Sequence, residues 1–197
     1  MPITINGSGT VTGLAVGGLP DGIVDTDMLA ADAVTAAKAH IAGSILQVQV
    51  GTVDTQSEQT TSGTDAYTVI SQAITPKATS SKILIMSELY GNISGNYNGL
   101  GLLLYRDSSN IGVAAANGSV ARFNAAWQGP TVTDRVTLAT VFHLDSPSST
   151  SEITYYIKAQ DANSDGGEFA VNRASNWGQN TSHCATASHI ILMEVAG

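Results

Sequence analysis

The stretch SKILIMSELYG, residues 81–91, is an apolar run that is followed by Gly, Asn and Ser. Such a run, bounded by turn-forming residues, indicates a buried β-strand that leads into a loop. The chain after residue 44 continues in the same way, because short apolar segments recur there and no long helical period does. We therefore expect this part of the chain to be mainly β.

Other segments after this run also have strand character. LGLLLYRDSSNIGVAAA, residues 100–116, has two apolar stretches separated by turn-forming residues, which predicts a hairpin with its tip at residues 106–110. The remaining predicted strands lie in residues 135–145, 151–161, 168–174 and 186–197. Strands at such short intervals, punctuated by Gly, Pro, Ser and Asn, indicate an antiparallel β-sandwich or jelly roll rather than a βαβ fold.

Two of these segments show the alternation of a strand. In RVTLATVFHLD, Val136, Leu138 and then Val141 alternate with polar or small neighbours. In SEITYYIKAQD, Ile153, Tyr155 and Ile157 are two residues apart and therefore fall on one face.

Composition excludes several classes of function. The chain has 197 residues and a formal net charge of −8, which argues against nucleic-acid binding, since that normally needs a basic surface. Charged residues make up only 12%, about half the usual share for a soluble domain. The start of the sequence has neither the basic nor the apolar region of a signal peptide, and no window is apolar enough for a membrane span. We expect synthesis in the cytosol and no membrane insertion.

The first 44 residues follow a different pattern. Residues 3–20 are dense in Gly and alternate weakly, which predicts an extended arm. Asp27 as N-cap, the Ala-rich run after it and Gly43 as a stop predict a helix near residues 28–42. Its apolar face is narrow, so we expect the arm to be ordered by other copies or by another protein, with a disordered tail as the alternative. The residues expected to make these contacts are Leu14, Leu19, Ile23, Val24, Met28, Leu29 and Ile41.

Phrases from both parts of the chain resemble proteins of tailed bacteriophages. PDGIVDTDMLAADAVTAAK is similar to short repeats near the start of many phage fibre and virion proteins. TSSKILIMSELYG, LLLYRDSSNIGVA, FHLDSPSSTSEITYYIKAQ, FAVNRAS and ASHIILMEVAG resemble, in this order, a recurring C-terminal phage module. The resemblance implies a β-rich, usually trimeric appendage on a tail or a capsid. The chain has no room for a long shaft, which favours a short fibre, a spike or a head decoration protein.

DANSDGG, residues 161–167, is the best candidate for a metal site. Asp161, Asn163 and Asp165 match the first half of a calcium-binding loop, in which alternate oxygens converge on the ion. The twelfth position of that pattern is Asn172, so the bidentate glutamate is missing. The same residues are typical of a hairpin turn, and we expect a turn without metal.

Two tryptophans are candidates for a ligand surface. Trp127 and Trp177 both stand in Gly- and Asn-rich text, where exposed aromatic side chains often anchor a ligand. The alternative is that they close the ends of the β core or a subunit contact. Tyr155 and Tyr156 could join a sugar-stacking surface. The single cysteine, Cys184, excludes an intramolecular disulfide and is expected to be a buried or half-buried apolar residue.

These observations predict a non-enzymatic structural protein of a phage particle, with residues 1–44 as a virion-anchoring and trimerising arm and residues 45–197 as the exposed β domain. The expected partners are further copies of the chain in a homotrimer, other virion proteins, and host surface glycans. No cofactor and no catalytic residue is expected. Two alternatives stay open: a head decoration protein and a carbohydrate-binding, lectin-like module. A capsule-degrading enzyme is disfavoured, because the acidic residues are few and stand mostly in turns.

Overall fold

The computed structural model describes residues 41–61, 65–93, 100–127, 135–161, 167–174 and 184–197. Within Ile41–Gly197, which form one compact unit, the described residues form two antiparallel β-sheets. The predicted antiparallel β-sandwich is therefore confirmed. The strands are β1 (Ile45–Val53), β2 (Ser57–Thr61), β3 (Tyr67–Ile74), β4 (Lys82–Ile93), β5 (Leu100–Arg106), β6 (Ser109–Ile111), β7 (Ala125–Trp127), β8 (Thr137–Asp145), β9 (Ile153–Asp161), β10 (Gly167–Val171) and β11 (Ser188–Val195).

Sheet A is organised around β4, the strand that contains the apolar run of residues 81–91. Its strand order is β1-β11-β4-β10-β2, and β8 also pairs with β4. One edge of β4 pairs with β11 and then, near its end, with β10. The other edge pairs with β8 from Ile83 to Gly91. A strand with neighbours on both edges satisfies its backbone hydrogen bonds without water, which suits an apolar sequence.

Sheet B has the order β3-β9-β5-β6, with β7 also paired to β5. The predicted hairpin of residues 100–116 is confirmed as β5 and β6, and its turn is only Asp107 and Ser108. Asp107 has a φ of 51°, in the left-handed region that aspartate tolerates better than most residues. Its carboxylate also accepts a hydrogen bond from the backbone N–H of Thr154, at 2.9 Å, which ties the turn to β9.

The hydrophobic core lies between the two sheets. Strands β4, β8, β10 and β11 contribute from one side, and β3, β5, β7 and β9 from the other. Its largest fully buried apolar side chains are Trp127, Tyr155, Phe169, Ile83, Ile85, Leu89, Leu102, Leu104, Ile157, Ile190 and Leu192. Each such side chain contributes about 1.5–3 kcal/mol relative to an exposed position, so this layer is the main source of stability.

The predicted face of β9 is confirmed, because Ile153, Tyr155 and Ile157 are all buried on its core side. On β8, Val141 is buried and Leu138 is 51% exposed, so these two side chains lie on opposite faces. They are three positions apart, and side chains on a strand alternate with a period of two.

The sandwich has two distinguishable ends. We call the end at Ile45, where the chain enters β1, the proximal end; Asp145 of β8 and Val195 of β11 lie there as well. The opposite end is the distal end. Strands that end there have their last residues at Thr61, Ile93, Trp127 and Asp161.

Several predictions fall outside the described residues. These are the extended arm, the helix near residues 28–42, and the contact residues Leu14, Leu19, Ile23, Val24, Met28 and Leu29. Ile41 is described, and its side chain is 73% exposed. Cys184 is exposed as well, so the expectation of a buried or half-buried cysteine was wrong; it lies just before β11, outside the core.

Candidate assembly surface

Sheet A carries apolar side chains on the face that points away from the core. The strand register places them in two rows, each running across β1, β11, β4 and β8. The first row is Val48, Met193, Leu84 and Leu144, and the second row is Val50, Ile191, Met86 and Phe142. We call this surface, together with Leu138 and the polar row described below, the outer face of sheet A.

Exposure on this face is greatest along its two flanks. Phe142 on β8 is 62% exposed and Val50 on β1 is 55% exposed. The apolar side chains of the middle strands, β11 and β4, are half-buried by these neighbours. Apolar residues scattered singly on a surface need no explanation, whereas contiguous rows four strands wide are typical of an interaction site.

A shallow depression of about 250 Å³ opens on the outer face beside Phe142. Met86 and Ile191 line its apolar side. A polar row crosses the sheet next to it and contains Thr52, His189, Glu88 and Thr140. The depression is therefore apolar on one side and polar on the other, and Phe142 stands at its rim.

The outer face of sheet B is different in character. Tyr105 and Tyr156 are cross-strand neighbours on β5 and β9. The Lys158 ammonium lies 4.5 Å from the centre of the Tyr105 ring and 5.4 Å from that of Tyr156. All three side chains are half-buried, and the arrangement is a cation–π contact.

Polar groups inside the sandwich are engaged in structural contacts. At the proximal end the Arg106 guanidinium nitrogen Nη1 lies 3.0 and 2.9 Å from the two carboxylate oxygens of Asp145. The Tyr155 hydroxyl donates to the same carboxylate at 2.7 Å. This cluster joins β8 of sheet A to β5 and β9 of sheet B. Burial, followed by the bond to Asp145, raises the pKa of the Tyr155 phenol far above its ordinary value, so this hydroxyl donates and does not serve as a base.

Glu194 joins three segments at the same end. Its carboxylate accepts hydrogen bonds from the Gln47 side chain on β1 and from the backbone N–H of Lys77, each at 2.6 Å. Burial alone favours the neutral form of this carboxyl group. The hydrogen bonds to the carboxylate outweigh burial, and the pKa of Glu194 is lowered.

Asn172 has the corresponding role towards the distal end. Its side-chain nitrogen donates to the backbone oxygens of Val53 and Thr55, at 2.7 and 3.1 Å. Its side-chain oxygen accepts from the Ser188 hydroxyl at 2.6 Å. With a φ of 61°, Asn172 occupies the left-handed region, where asparagine is favoured over most residues. Asn172 stands where the calcium-loop pattern would need a glutamate. In the structure, both the nitrogen and the oxygen of its side-chain amide make hydrogen bonds within the domain.

The predicted ligand and metal residues are only partly among the described residues. Trp127 is 1% exposed, packs at a tilt against Phe169 and donates from Nε1 to the Leu89 carbonyl at 3.1 Å. It is therefore a core residue rather than part of an exposed ligand surface. Tyr155 is likewise buried, whereas Tyr156 points outward. Trp177 lies outside the described residues.

Asp161 is buried as the last residue of β9, and Asn163 and Asp165 lie outside the described residues. Across the described ranges, no group of three or more His, Cys, Asp or Glu side chains is placed to hold a metal ion. No helix in the described part of the chain has the length and apolarity needed to cross a membrane.

The sequence did contain a signal for the outer face of sheet A. Strands with one covered face alternate between apolar and polar residues, whereas strands with apolar residues on both faces give continuous runs. The run in residues 81–91 is of the second kind, and so is HIILM in β11. The first run predicts a buried strand. The outer face of sheet A, which the same run also indicates, is not among the predictions made from the sequence.

No protein family and no curated protein matches the chain. Among solved structures, the infectious bursal disease virus VP2 subviral particle is similar, with 15% identity and a TM-score of 0.40 over 78% of this chain and 38% of that one. The structure of the Gx strain of the same virus matches with 16% identity and a TM-score of 0.37, over 78% of this chain and 39% of that one. The chain spans about two fifths of the length of these viral chains.

Proposed function

We propose that the chain is a non-enzymatic structural protein of a tailed-bacteriophage particle. It works as a homotrimer, in which residues 1–44 attach the protein to other virion proteins and the β domain is displayed on the particle. The resemblance of its N-terminal and C-terminal phrases to phage appendage proteins supports the type of particle. The observation that carries the structural role is the outer face of sheet A, which is a broad apolar surface suited to contact with protein.

The interior polar groups support the same role. The carboxylates of Asp145 and Glu194 and the amide of Asn172 each have two or more hydrogen-bond partners within the domain. Groups held in this way stabilise one geometry. They hold the two sheets and their connections in place.

Localisation on purified particles tests the proposal. Phage particles are purified by density gradient and labelled with antibodies against the β domain, and the label is located by electron microscopy. We expect label at a fixed place on intact particles: label on tails indicates a short fibre or spike, and label on capsids indicates a head decoration protein. Absence of the chain from particles, with its presence in the lysate, would overturn the proposed function.

Carbohydrate binding is a second candidate, favoured by the pair formed by Tyr105 and Tyr156. Cross-strand aromatic rings with a lysine between them can stack on a sugar ring and contact an acidic group of it. Binding of the chain to an array of bacterial surface polysaccharides tests this candidate. A ligand whose binding is lost in Tyr105→Ala, Tyr156→Ala but kept in Phe142→Ala would favour it.

A further inference from the structure

Sheet A is apolar on both sides, whereas the described chain covers only one of them. On β4, the side chains of Ile83, Ile85 and Leu89 point into the core and are completely buried. The alternate side chains, Leu84 and Met86, point to the outer face and are only half-buried. Strands β8 and β11 repeat this arrangement. A sheet of this composition is typical of the middle layer of an assembly, with a second protein surface on its open side.

We propose that the outer face of sheet A is the subunit interface, on which the same face of further copies of this chain packs around a common axis. The inference deepens the proposed function, because it rests on the homo-oligomeric role and assigns the surface that makes it. Three features of the face support another copy of this chain as the protein that covers it: its area, its charge and its shape.

The area of the face is substantial for one contact between copies. Four strands at about 4.8 Å spacing are about 19 Å wide, and the distance from the row of Leu144 to Leu138 is about 20 Å along the strand. With the side chains included, the whole face, polar row included, measures about 500 Å² in plan. A standard stable complex buries roughly 800 Å² per partner, so the face supplies more than half of that area.

The charge of the face permits self-association and disfavours polyanionic partners. Each copy carries a formal net charge of −8, so two copies repel unless they meet through a surface with few charges. The two apolar rows carry none, and the polar row adds the Glu88 carboxylate and the His189 imidazole side by side. A nucleic acid or an anionic membrane needs a cluster of cations, and Lys82 at the proximal margin is the single Lys or Arg on the outward positions of β1, β4, β8 and β11.

The shape of the face is compatible with self-association. Phe142 on β8 is 62% exposed and lines the depression together with Met86 and Ile191. A face that carries an exposed aromatic ring beside a shallow hollow can pack against the same face of a copy related by rotation.

The oligomeric state of the full-length chain tests the inference. Size-exclusion chromatography with light scattering is applied to the wild type and to Phe142→Glu and Ser71→Glu. Ser71 is exposed on the outer face of sheet B and serves as the matched control. We expect about three times 20.2 kDa for the wild type and for Ser71→Glu. For Phe142→Glu we expect a mass about threefold lower, with a wild-type far-ultraviolet circular dichroism spectrum.

A monomeric wild type at micromolar concentration overturns the inference, and so does an assembly that persists unchanged in a folded Phe142→Glu variant. If Phe142→Glu does not fold, a labelling experiment replaces it. In a Cys184→Ser background, the rate of maleimide labelling is compared for Thr140→Cys, on the outer face of sheet A, and Ser71→Cys. We expect Thr140→Cys to react at least about tenfold more slowly at high protein concentration and to catch up on dilution. Equal rates at all concentrations contradict the interface.

Both results are independent of particle localisation. A chain that assembles through this face but is not found on virions disproves the proposed function and leaves the interface intact. A chain found on virions that does not use this face disproves the interface and leaves the function.

Discussion

The two sheets share one core, yet their outer faces differ. On sheet B, β9 alternates, so that Tyr155 and Ile157 lie in the core while Tyr156 and Lys158 point outward. On sheet A, strands β4, β8 and β11 place apolar residues on both sides. An alternating strand indicates a sheet with one covered face, while a continuous apolar run indicates a sheet with protein packed on both faces. In this chain sheet B covers one face of sheet A, and we propose that further copies of the chain cover the other.

The largest expected effect separates the two faces of β4. Ile85→Ala, on the core side, should lower the free energy of unfolding by about 3–4 kcal/mol, because it removes buried methyl groups and leaves a cavity. Met86→Ala, on the outer face, should lower it by less than about 1 kcal/mol. Both are measured by urea unfolding in the Phe142→Glu background, so that association does not contribute. If Ile85→Ala and Met86→Ala lowered the free energy of unfolding equally, the two faces of β4 would not differ in burial as described.

The next effect concerns the cluster that joins the sheets at the proximal end. Asp145→Asn should destabilise the domain by about 2–3 kcal/mol, because the half-buried Arg106 loses its counter-charge and the buried site at position 145 loses a charged hydrogen-bond acceptor. Tyr155→Phe removes one hydrogen bond to the same carboxylate and should cost about 1–1.5 kcal/mol. Thermal unfolding by circular dichroism measures both. If Asp145→Asn leaves the unfolding temperature unchanged, the cluster does not help to hold the two sheets together.

A smaller effect is expected in the pH dependence of stability. Folding lowers the pKa of Glu194, so its contribution is complete above the ordinary glutamate pKa of about 4.3 and is lost as the pH falls through the lower folded-state value. Unfolding by urea between pH 3 and pH 7 should show this loss in the wild type. Glu194→Gln should give a flatter profile, and Gln47→Ala, which removes one donor, should fall between the two. A Glu194→Gln profile that is parallel to the wild type contradicts the assignment.

The smallest effect is expected on the outer face of sheet B. Lys158→Met removes the cation between Tyr105 and Tyr156 and should cost no more than about 0.5–1 kcal/mol. It should leave the mass of the assembly unchanged in light scattering, in contrast to Phe142→Glu. Dissociation of the assembly by Lys158→Met would show that sheet B, and not sheet A, carries the contact between copies.

Much of the fold could be predicted because the signals were local. The run in residues 81–91 and the turn residues between β5 and β6 placed two elements, and the period of two in β9 placed Ile153, Tyr155 and Ile157 correctly. In these places the chain needs no distant information: alternation sets the face and Asp107 sets the turn.

The rest could not be predicted because it depends on residues distant in the chain. Asn172 bonds to Val53 and Thr55, more than a hundred residues away, and Trp127 is buried because Phe169 packs on it. A tryptophan in Gly- and Asn-rich text has no local mark that distinguishes a core residue from an exposed anchor. The register of four strands, which aligns the rows of the outer face, is likewise a property of the sheet and not of any one segment.

The proximal end of the sandwich also constrains how its residues can change. It holds the ion pair of Arg106 with Asp145 and the hydrogen bonds of Glu194 to Gln47 and Lys77. Each of these polar groups depends on another that lies far away in the sequence, so a substitution at one position leaves its partner without a bond. Substitutions that keep the domain stable are therefore expected to occur there in matched sets, such as loss of charge at Arg106 together with loss of charge at Asp145.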